Sequence, residues 1–108
     1  MTTMQTIFSA YSPTIAISGT STASAAVGLP AIGGSIRMVN EGPNVCFVCI
    51  SPLGELAVLP GAVPSDRSIP VLSGEDVVLG IPTAPLMISI ICRATATCTL
   101  SVSVGEGI

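Results

Sequence analysis

The stretch TCTLSVSV, residues 97–104, alternates between hydroxyl-bearing and apolar side chains. Its apolar members are Cys98, Leu100, Val102 and Val104. Successive side chains of an extended strand point to opposite faces, so this spacing predicts a strand with one buried and one solvated face. The stretches PTIAIS and SIRMV repeat the alternation, whereas the spacing typical of an amphipathic helix does not recur along the chain.

Glycine and proline residues, which interrupt regular secondary structure, divide the chain into short segments. Its 11 glycines and 9 prolines leave room for strands but not for helices of typical length. The predicted strands are residues 6–10, 14–18, 22–27, 35–39, 45–51, 55–59, 69–72, 76–80, 86–92 and 97–104. Many short strands joined by turns such as NEGPN and RATA indicate an all-β fold, a β-sandwich or jelly roll of about eight to ten short antiparallel strands.

The length of 108 residues fits one domain with a single core. Residues 1–30 are rich in Ala, Ser and Thr, and we expect them to form an N-terminal arm or the first strands. Residues 31–108 are expected to form the β-sandwich domain.

The composition predicts association. Hydrophobic residues make up 49% of the chain and charged residues 8%, where a typical soluble domain carries about 25% charged residues. A domain of this size cannot hide half its residues in a core, so some apolar surface must face outward. We expect other subunits to cover that surface. The alternative is a soluble monomer coated in Ser and Thr.

Catalysis and nucleic-acid binding lack the side chains they need. The chain has no histidine and no lysine, which removes the usual general bases, Schiff-base chemistry and catalytic triads. We therefore expect no enzymatic activity, no catalytic residue and no cofactor. Three arginines in a chain of net charge -3 cannot supply the basic surface that phosphate contacts require, so no nucleic-acid partner is expected.

No membrane or export segment is predicted. The most hydrophobic window, VVLGIPTAPLMISIIC, contains Pro82 and Pro85 and is shorter than the ~20 residues of a membrane helix. The first charged residue is Arg37, so the N-terminal region lacks the basic start of a secretory signal. The expected compartment is a reducing cytoplasm, in which cysteines remain thiols.

The chain has four cysteines, which could bind a metal, act in redox chemistry or pack in the core as small apolar residues. Cys46 and Cys49 lie in NVCFVCISP, whose β-branched and aromatic residues favour a strand. Positions i and i+3 of a strand project to opposite faces and cannot share one ion. Cys92 and Cys98 flank RATAT, a plausible hairpin loop. We interpret all four as core residues. A zinc site or redox module built on the four, and a disulfide between Cys92 and Cys98, remain as alternatives.

Three stretches, IRMVNEGPNVCFVCI, SIPVLSGEDVVLGI and ATCTLSVSVGEGI, carry a family resemblance. The matching positions are Arg37, Val39, Asn40, Gly42, Phe47, Val48, Pro70, Val71, Leu72, Gly74, Val102, Val104, Gly105, Glu106 and Gly107. In this pattern, which spans roughly the last 75 residues, the chain resembles a group of small tailed-bacteriophage virion proteins.

The resemblance implies a capsid decoration or cement protein on the capsid surface of the virion, made in the cytoplasm of a bacterial host. Its β-sandwich subunits would form dimers or trimers and bind the major capsid protein across capsomers. Alternatives are a head–tail connector or tail component, and a carbohydrate-binding sandwich, which the scarcity of aromatic residues disfavours.

The interface residues we expect are those of exposed loops and of the N-terminal region. Asp66 and Arg67 occupy the proline-rich loop LPGAVPSDRSIP, Glu41 occupies the turn NEGPN, and Phe8 and Tyr11 lie near the N-terminus. The charged loop tip Asp66-Arg67 favours a local or intersubunit ion pair over catalysis.

Overall fold

The computed structural model describes residues 9–10, 14–59 and 68–106. These residues form β-strands and no helix, which confirms the all-β prediction. The strands are β1 (Ser9–Ala10), β2 (Ile15–Gly19), β3 (Val27–Gly28), β4 (Ser35–Pro43), β5 (Cys46–Ser51), β6 (Ile69–Val71), β7 (Asp76–Gly80), β8 (Met87–Ile91) and β9 (Cys98–Glu106).

The strands form two antiparallel sheets. In sheet A, β1 and β2 both pair with β9, β9 pairs with β4, and β4 pairs with β7. In sheet B the order is β3-β8-β5-β6. The pairs are nested along the chain, because β5 pairs with β6, β4 with β7, β3 with β8 and β2 with β9. This nesting, with the pairs divided between two sheets, is the arrangement of an eight-stranded jelly roll, to which β1 is added.

The core lies between the two sheets and follows the alternation of the sequence. On β9, the apolar members of residues 97–104 are buried, with Leu100, Val102 and Val104 fully inaccessible. Ile36 and Met38 of β4 and the alternate residues of β5 and β8 complete the cluster from the neighbouring strands. The prediction that residues 97–104 have one buried face is therefore confirmed.

Two of the predicted strands are largely absent from the structure. Residues 55–59 form no strand, because their backbone N–H groups bond to side chains: Glu55 to the Ser51 hydroxyl and Ala57 to the Ser89 hydroxyl. Of residues 22–27, only Val27 is in a strand, although the backbone N–H of Ser24 bonds to the carbonyl of Ile90 at 2.8 Å.

The corner between β4 and β5 depends on one buried amide. Asn40 is fully buried, and its Nδ2 donates to the backbone carbonyls of Asn44 and Val71, each at 2.8 Å. Its Oδ1 accepts the N–H of Gly42 at 2.8 Å. Gly42 has φ +87°, and a Cβ there would lie 2.7 Å from the Ser73 hydroxyl, so the turn requires glycine. The amide thus joins sheet A at β4 to sheet B at β6.

Candidate association surface

The outer face of sheet A is polar. It carries the hydroxyls of β9 that alternate with the core residues, together with charged residues of β4 and β7. Arg37 and Asp76 form a two-pronged ion pair, with Nε 3.0 Å from Oδ1 and Nη2 2.6 Å from Oδ2. The hydrogen bonds from Arg37 lower the pKa of Asp76, and the same bonds raise the pKa of Arg37.

Hydroxyl contacts extend this polar face across the sheet. The Ser101 hydroxyl donates to the Glu41 carboxylate at 2.7 Å, and the hydroxyls of Thr14 and Ser103 lie 2.6 Å apart. These side-chain hydrogen bonds connect neighbouring strands, so the outer face of sheet A is polar in the part of the chain that the structure describes.

The outer face of sheet B is built differently, because residues 53–59 cross over it. The Ser51 hydroxyl, at the end of β5, accepts the N–H of Glu55 at 2.9 Å. The Ser89 hydroxyl, on β8, accepts the N–H of Ala57 at 3.0 Å. Ser89 is fully buried and Ala57 nearly so. These two bonds hold the crossing segment against the sheet.

Ser89 also holds a second segment. Its hydroxyl donates to the Ser24 carbonyl at 2.7 Å, while the Ser24 hydroxyl accepts the N–H of Ile90 at 2.9 Å. One buried hydroxyl therefore links β8 to the chain before β3 and to the segment that crosses the sheet. Buried polar groups of this kind are stable only when they are hydrogen-bonded.

The crossing segment presents large apolar side chains to solvent. The exposed fractions are 83% for Leu53, 54% for Leu56, 42% for Val58 and 37% for Leu59. Glu55 is the one charged residue between Leu53 and Leu59. Such a concentration of exposed aliphatic side chains is unusual on the surface of a monomer.

The crossing segment reaches both edges of sheet B. A Cβ on Gly54 would lie 3.5 Å from the Cβ of Ala26, next to β3. At the other end, the Ser68 hydroxyl donates to the carbonyl of Val58, next to β6. Val27 and Ile69, on these edges, are 41% and 38% exposed, but they pair with the core residues Ile88 and Val48 and so lie on the core-facing side of sheet B. The apolar band, as we name it, consists of Leu53, Leu56, Val58 and Leu59.

At one end of sheet B, the side chain of Arg93 covers an aromatic ring. The Arg93 guanidinium carbon lies 4.9 Å from the centre of the Phe47 ring, and Phe47 is only 3% exposed. The guanidinium therefore covers the face of the ring while it stays in contact with water, a favourable cation–π arrangement.

The four cysteines are buried thiols, as their interpretation as core residues expects. Cys46, Cys92 and Cys98 belong to the core cluster between the sheets, whereas Cys49 lies on the opposite face of β5. Burial raises the pKa of Cys46 and of Cys98 to about 11, and that of Cys92 to about 12. In the part of the chain that the structure describes, no group of three or more His, Cys, Asp or Glu side chains could hold a metal ion.

The expected interface residues are only partly covered by the structure. Glu41 is exposed, on the polar face of sheet A. Phe8, Tyr11, Asp66 and Arg67 lie outside the described residues.

Sequence reasoning did not identify the apolar band. Its signal was PLGELAVLP, in which Leu56, Ala57, Val58 and Leu59 are consecutive apolar residues, so that both faces of a strand would have been apolar. A run with two apolar faces next to an exposed turn is a sign of surface that a partner covers.

No protein-family model and no curated protein matches the sequence. Among the described residues, no helix is long and apolar enough to cross a membrane.

Proposed function

We propose that this chain is a structural protein of a tailed-phage head: a decoration or cement protein that binds the major capsid protein across capsomers. The observation that carries the proposal is the apolar band, an exposed aliphatic surface held rigidly over sheet B by the hydroxyls of Ser51 and Ser89. Such a protein acts by binding to its partners, which requires an exposed binding surface rather than reactive groups.

The size of the effect is adequate for this role. Complete burial of one leucine or valine side chain contributes about 1.5–3 kcal/mol. Leu53 and Leu56 are each more than half exposed, so a partner that covers them gains more than half of that contribution. A cement protein occurs in many copies on one shell, so modest contacts combine into a strongly held layer.

Rigidity of the band supports the same role. Residues 55 and 57 are fixed by hydrogen bonds to the sheet, so little conformational entropy is lost when a partner covers Leu56 and Val58. The polar face of sheet A would remain toward solvent, which gives each subunit one attached side and one hydrated side.

The fold is compatible with the proposal. Jelly rolls occur in viral capsid and lectin domains, among others, so the topology alone does not select a function. Carbohydrate binding would need aromatic rings to stack on sugars. Phe47 is buried beneath Arg93, and its ring is not offered to a ligand.

The test is binding to the heads of the phage that encodes the chain. Co-sedimentation of the purified protein with heads should be lost in the double variant L53E/L56E, which places two charges in the apolar band. The matched control is A16E, because Ala16 is exposed on the opposite face, on β2 of sheet A. Binding by L53E/L56E equal to that of the unmodified chain would refute the proposal.

Position in the particle separates the cement role from the connector and tail alternatives. Cryo-electron microscopy of virions should place the density of this chain at capsomer boundaries over the whole shell. Density confined to one vertex or to the tail would assign it to the connector or the tail instead.

Self-association is part of the proposed function. Sedimentation of the free protein should show a dimer or trimer at micromolar concentration. A stable monomer at high micromolar concentration would contradict the homo-oligomer.

A further inference from the structure

Two thiols of the core lie unusually close together. The Sγ atoms of Cys92 and Cys98 are 3.0 Å apart. Carbon atoms pack best at about 3.5–4.0 Å and sulfur is a larger atom, whereas the sulfurs of a disulfide are about 2.05 Å apart. An approach of about 1 Å therefore separates this pair from a covalent bond.

The backbone fixes this pair at the corner between the sheets. Cys92 follows the last residue of β8 and its N–H bonds to the carbonyl of Thr20 at 2.8 Å. Cys98 begins β9 and pairs with Gly19 of β2. Between them, the N–H of Ala96 bonds to the carbonyl of Arg93 at 3.0 Å and closes a tight turn. The hydrogen bonds and the strand pairing on both sides of this turn thus hold the two cysteines next to each other.

Gly19 provides the space that the two sulfurs occupy. A Cβ at this position would lie 2.6 Å from the Cys98 Sγ and 3.0 Å from the Cys92 Sγ. Its backbone is not in the left-handed region where glycine is favoured, since the described glycines of positive φ are Gly42, Gly54 and Gly74. The Cys98 sulfur is the nearest of the atoms that a side chain at position 19 would meet, followed by the Cys92 sulfur and by Ile90 Cδ1 at 3.1 Å.

We propose that Cys92 and Cys98 are a modification site that forms an intrachain disulfide when the folded protein meets a low-molecular-weight disulfide such as oxidised glutathione. Cys46 and Cys49 remain thiols. The bond would close the corner between β8 and β9 and fasten sheet B to sheet A. In a reducing compartment the pair stays reduced, so the bond forms only after the chain leaves it.

The chemistry balances in two exchange steps. The Cys98 thiolate attacks one sulfur of oxidised glutathione, which forms a mixed disulfide and releases one glutathione thiolate. Cys92 then loses its proton to solvent and attacks the Cys98 sulfur, which releases the second glutathione. Two protein thiols lose two electrons and two protons, and one oxidised glutathione becomes two reduced molecules.

Access is the slow part of the reaction. Cys92 is fully buried and Cys98 is 3% exposed, so the oxidant meets them when the exposed turn of residues 93–97 opens. Burial also disfavours the thiolate, since the pKa of Cys98 is raised to about 11. We expect oxidation over hours at neutral pH and faster reaction in mild alkali.

Cys46 is the competing partner. It lies in the same core cluster, and a hydrogen bond with Cys98 acts on its pKa. Peptide mapping distinguishes a bond between Cys92 and Cys98 from one between Cys46 and Cys98.

The experiment uses the full chain, purified in reduced form and incubated with oxidised glutathione. We expect the number of free thiols to fall from four to two, the mass to fall by two hydrogen atoms, and the mapped link to join Cys92 to Cys98. The Tm should rise by roughly 5–10 °C and return to its starting value on addition of a reductant.

Matched variants make the result specific. C46A and C49A should still lose two thiols and gain Tm, whereas C92A and C98A should do neither. Four unreacted thiols after prolonged incubation, or a mapped link from Cys46 to Cys98, would overturn the proposal. If C92A or C98A fails to fold, the map of the unmodified chain still decides.

Discussion

The side-chain amide of Asn40 donates a hydrogen bond of 2.8 Å to the backbone carbonyl of Val71, and so connects the end of β4 in sheet A with β6 in sheet B. The same side chain donates to the carbonyl of Asn44 and accepts the N–H of Gly42 at the β4–β5 corner. All three of its polar contacts are with backbone groups of the corner or of β6. Such a residue fixes how the two sheets meet as well as how strongly they are held.

We predict that N40A destabilises the protein by about 3 kcal/mol, because it leaves buried backbone groups without a partner. Urea unfolding followed by circular dichroism measures the change in the free energy of unfolding. N44A is the matched control, since the Asn44 side chain makes an exposed hydrogen bond to Thr97, and its loss should cost less than about 1 kcal/mol. Equal effects of the two substitutions would argue against the role assigned to Asn40.

A second prediction concerns Ser89. S89A should lower the free energy of unfolding by about 1–3 kcal/mol, because the N–H of Ala57 and the carbonyl of Ser24 lose their buried partner. Amide hydrogen exchange should accelerate at Ala57 more than at residues of the β4·β9 pair. S18A, on the exposed face of β2, is the control and should change stability by less than about 0.5 kcal/mol. Unchanged protection of the Ala57 amide in S89A would show that the crossing segment is held by other contacts.

Stability should fall in alkali when the cysteines are reduced. The pKa of Cys46, Cys92 and Cys98 is raised by burial in the fold, to about 11, 12 and 11, above the value of about 8.5 expected in the unfolded chain. The protonated thiols favour the folded state, so their contribution is fully present below pH about 8.5 and is lost as the pH rises toward the folded pKa. Each thiol contributes a slope of up to about 1.4 kcal/mol per pH unit in this window.

Urea unfolding at several pH values between about 7.5 and 10 measures this slope. C46A removes one of the three thiols and should give a shallower decline. Oxidation of Cys92 and Cys98 removes two and should make it shallower still. A stability that is constant over this window would contradict the raised pKa values.

The contact between Gly19 and the sulfur pair predicts a coupling. G19A should destabilise the protein by about 1–3 kcal/mol, because its methyl group would lie within 2.6 Å of the Cys98 sulfur. In the background of C98A that sulfur is absent, so the same substitution should cost less. A double-mutant cycle built from unfolding free energies measures the coupling. Additive effects would show that the space at position 19 does not serve Cys98.

Much of the fold could be read from local patterns. The alternation of residues 97–104 predicted β9 and its buried face, and the frequent breakers predicted short strands and no helix. The opposite orientation of Cys46 and Cys49 also followed from strand geometry, because neighbouring side chains on a strand alternate whatever the fold. These features depend only on residues close together in the chain.

Residues 55–59 show where local reasoning fails. Their composition fits a strand. In the structure, however, the hydroxyls of Ser51 and Ser89 accept hydrogen bonds from backbone N–H groups of this segment, which in a strand would bond to a neighbouring strand. Ser89 is 32 residues from Ala57 in sequence, so no local pattern contains this information.

The sequence by itself determined the strand content, the alternation of core and surface, and the shortage of charge that requires apolar area outside the core. The tertiary structure alone decided the nested pairing, the face of the sandwich that carries the apolar band, and the meeting of Cys92 with Cys98 beside Gly19. The physical reason is that side-chain alternation is a property of the extended backbone, whereas these contacts are made between segments that only the packing of two sheets brings together.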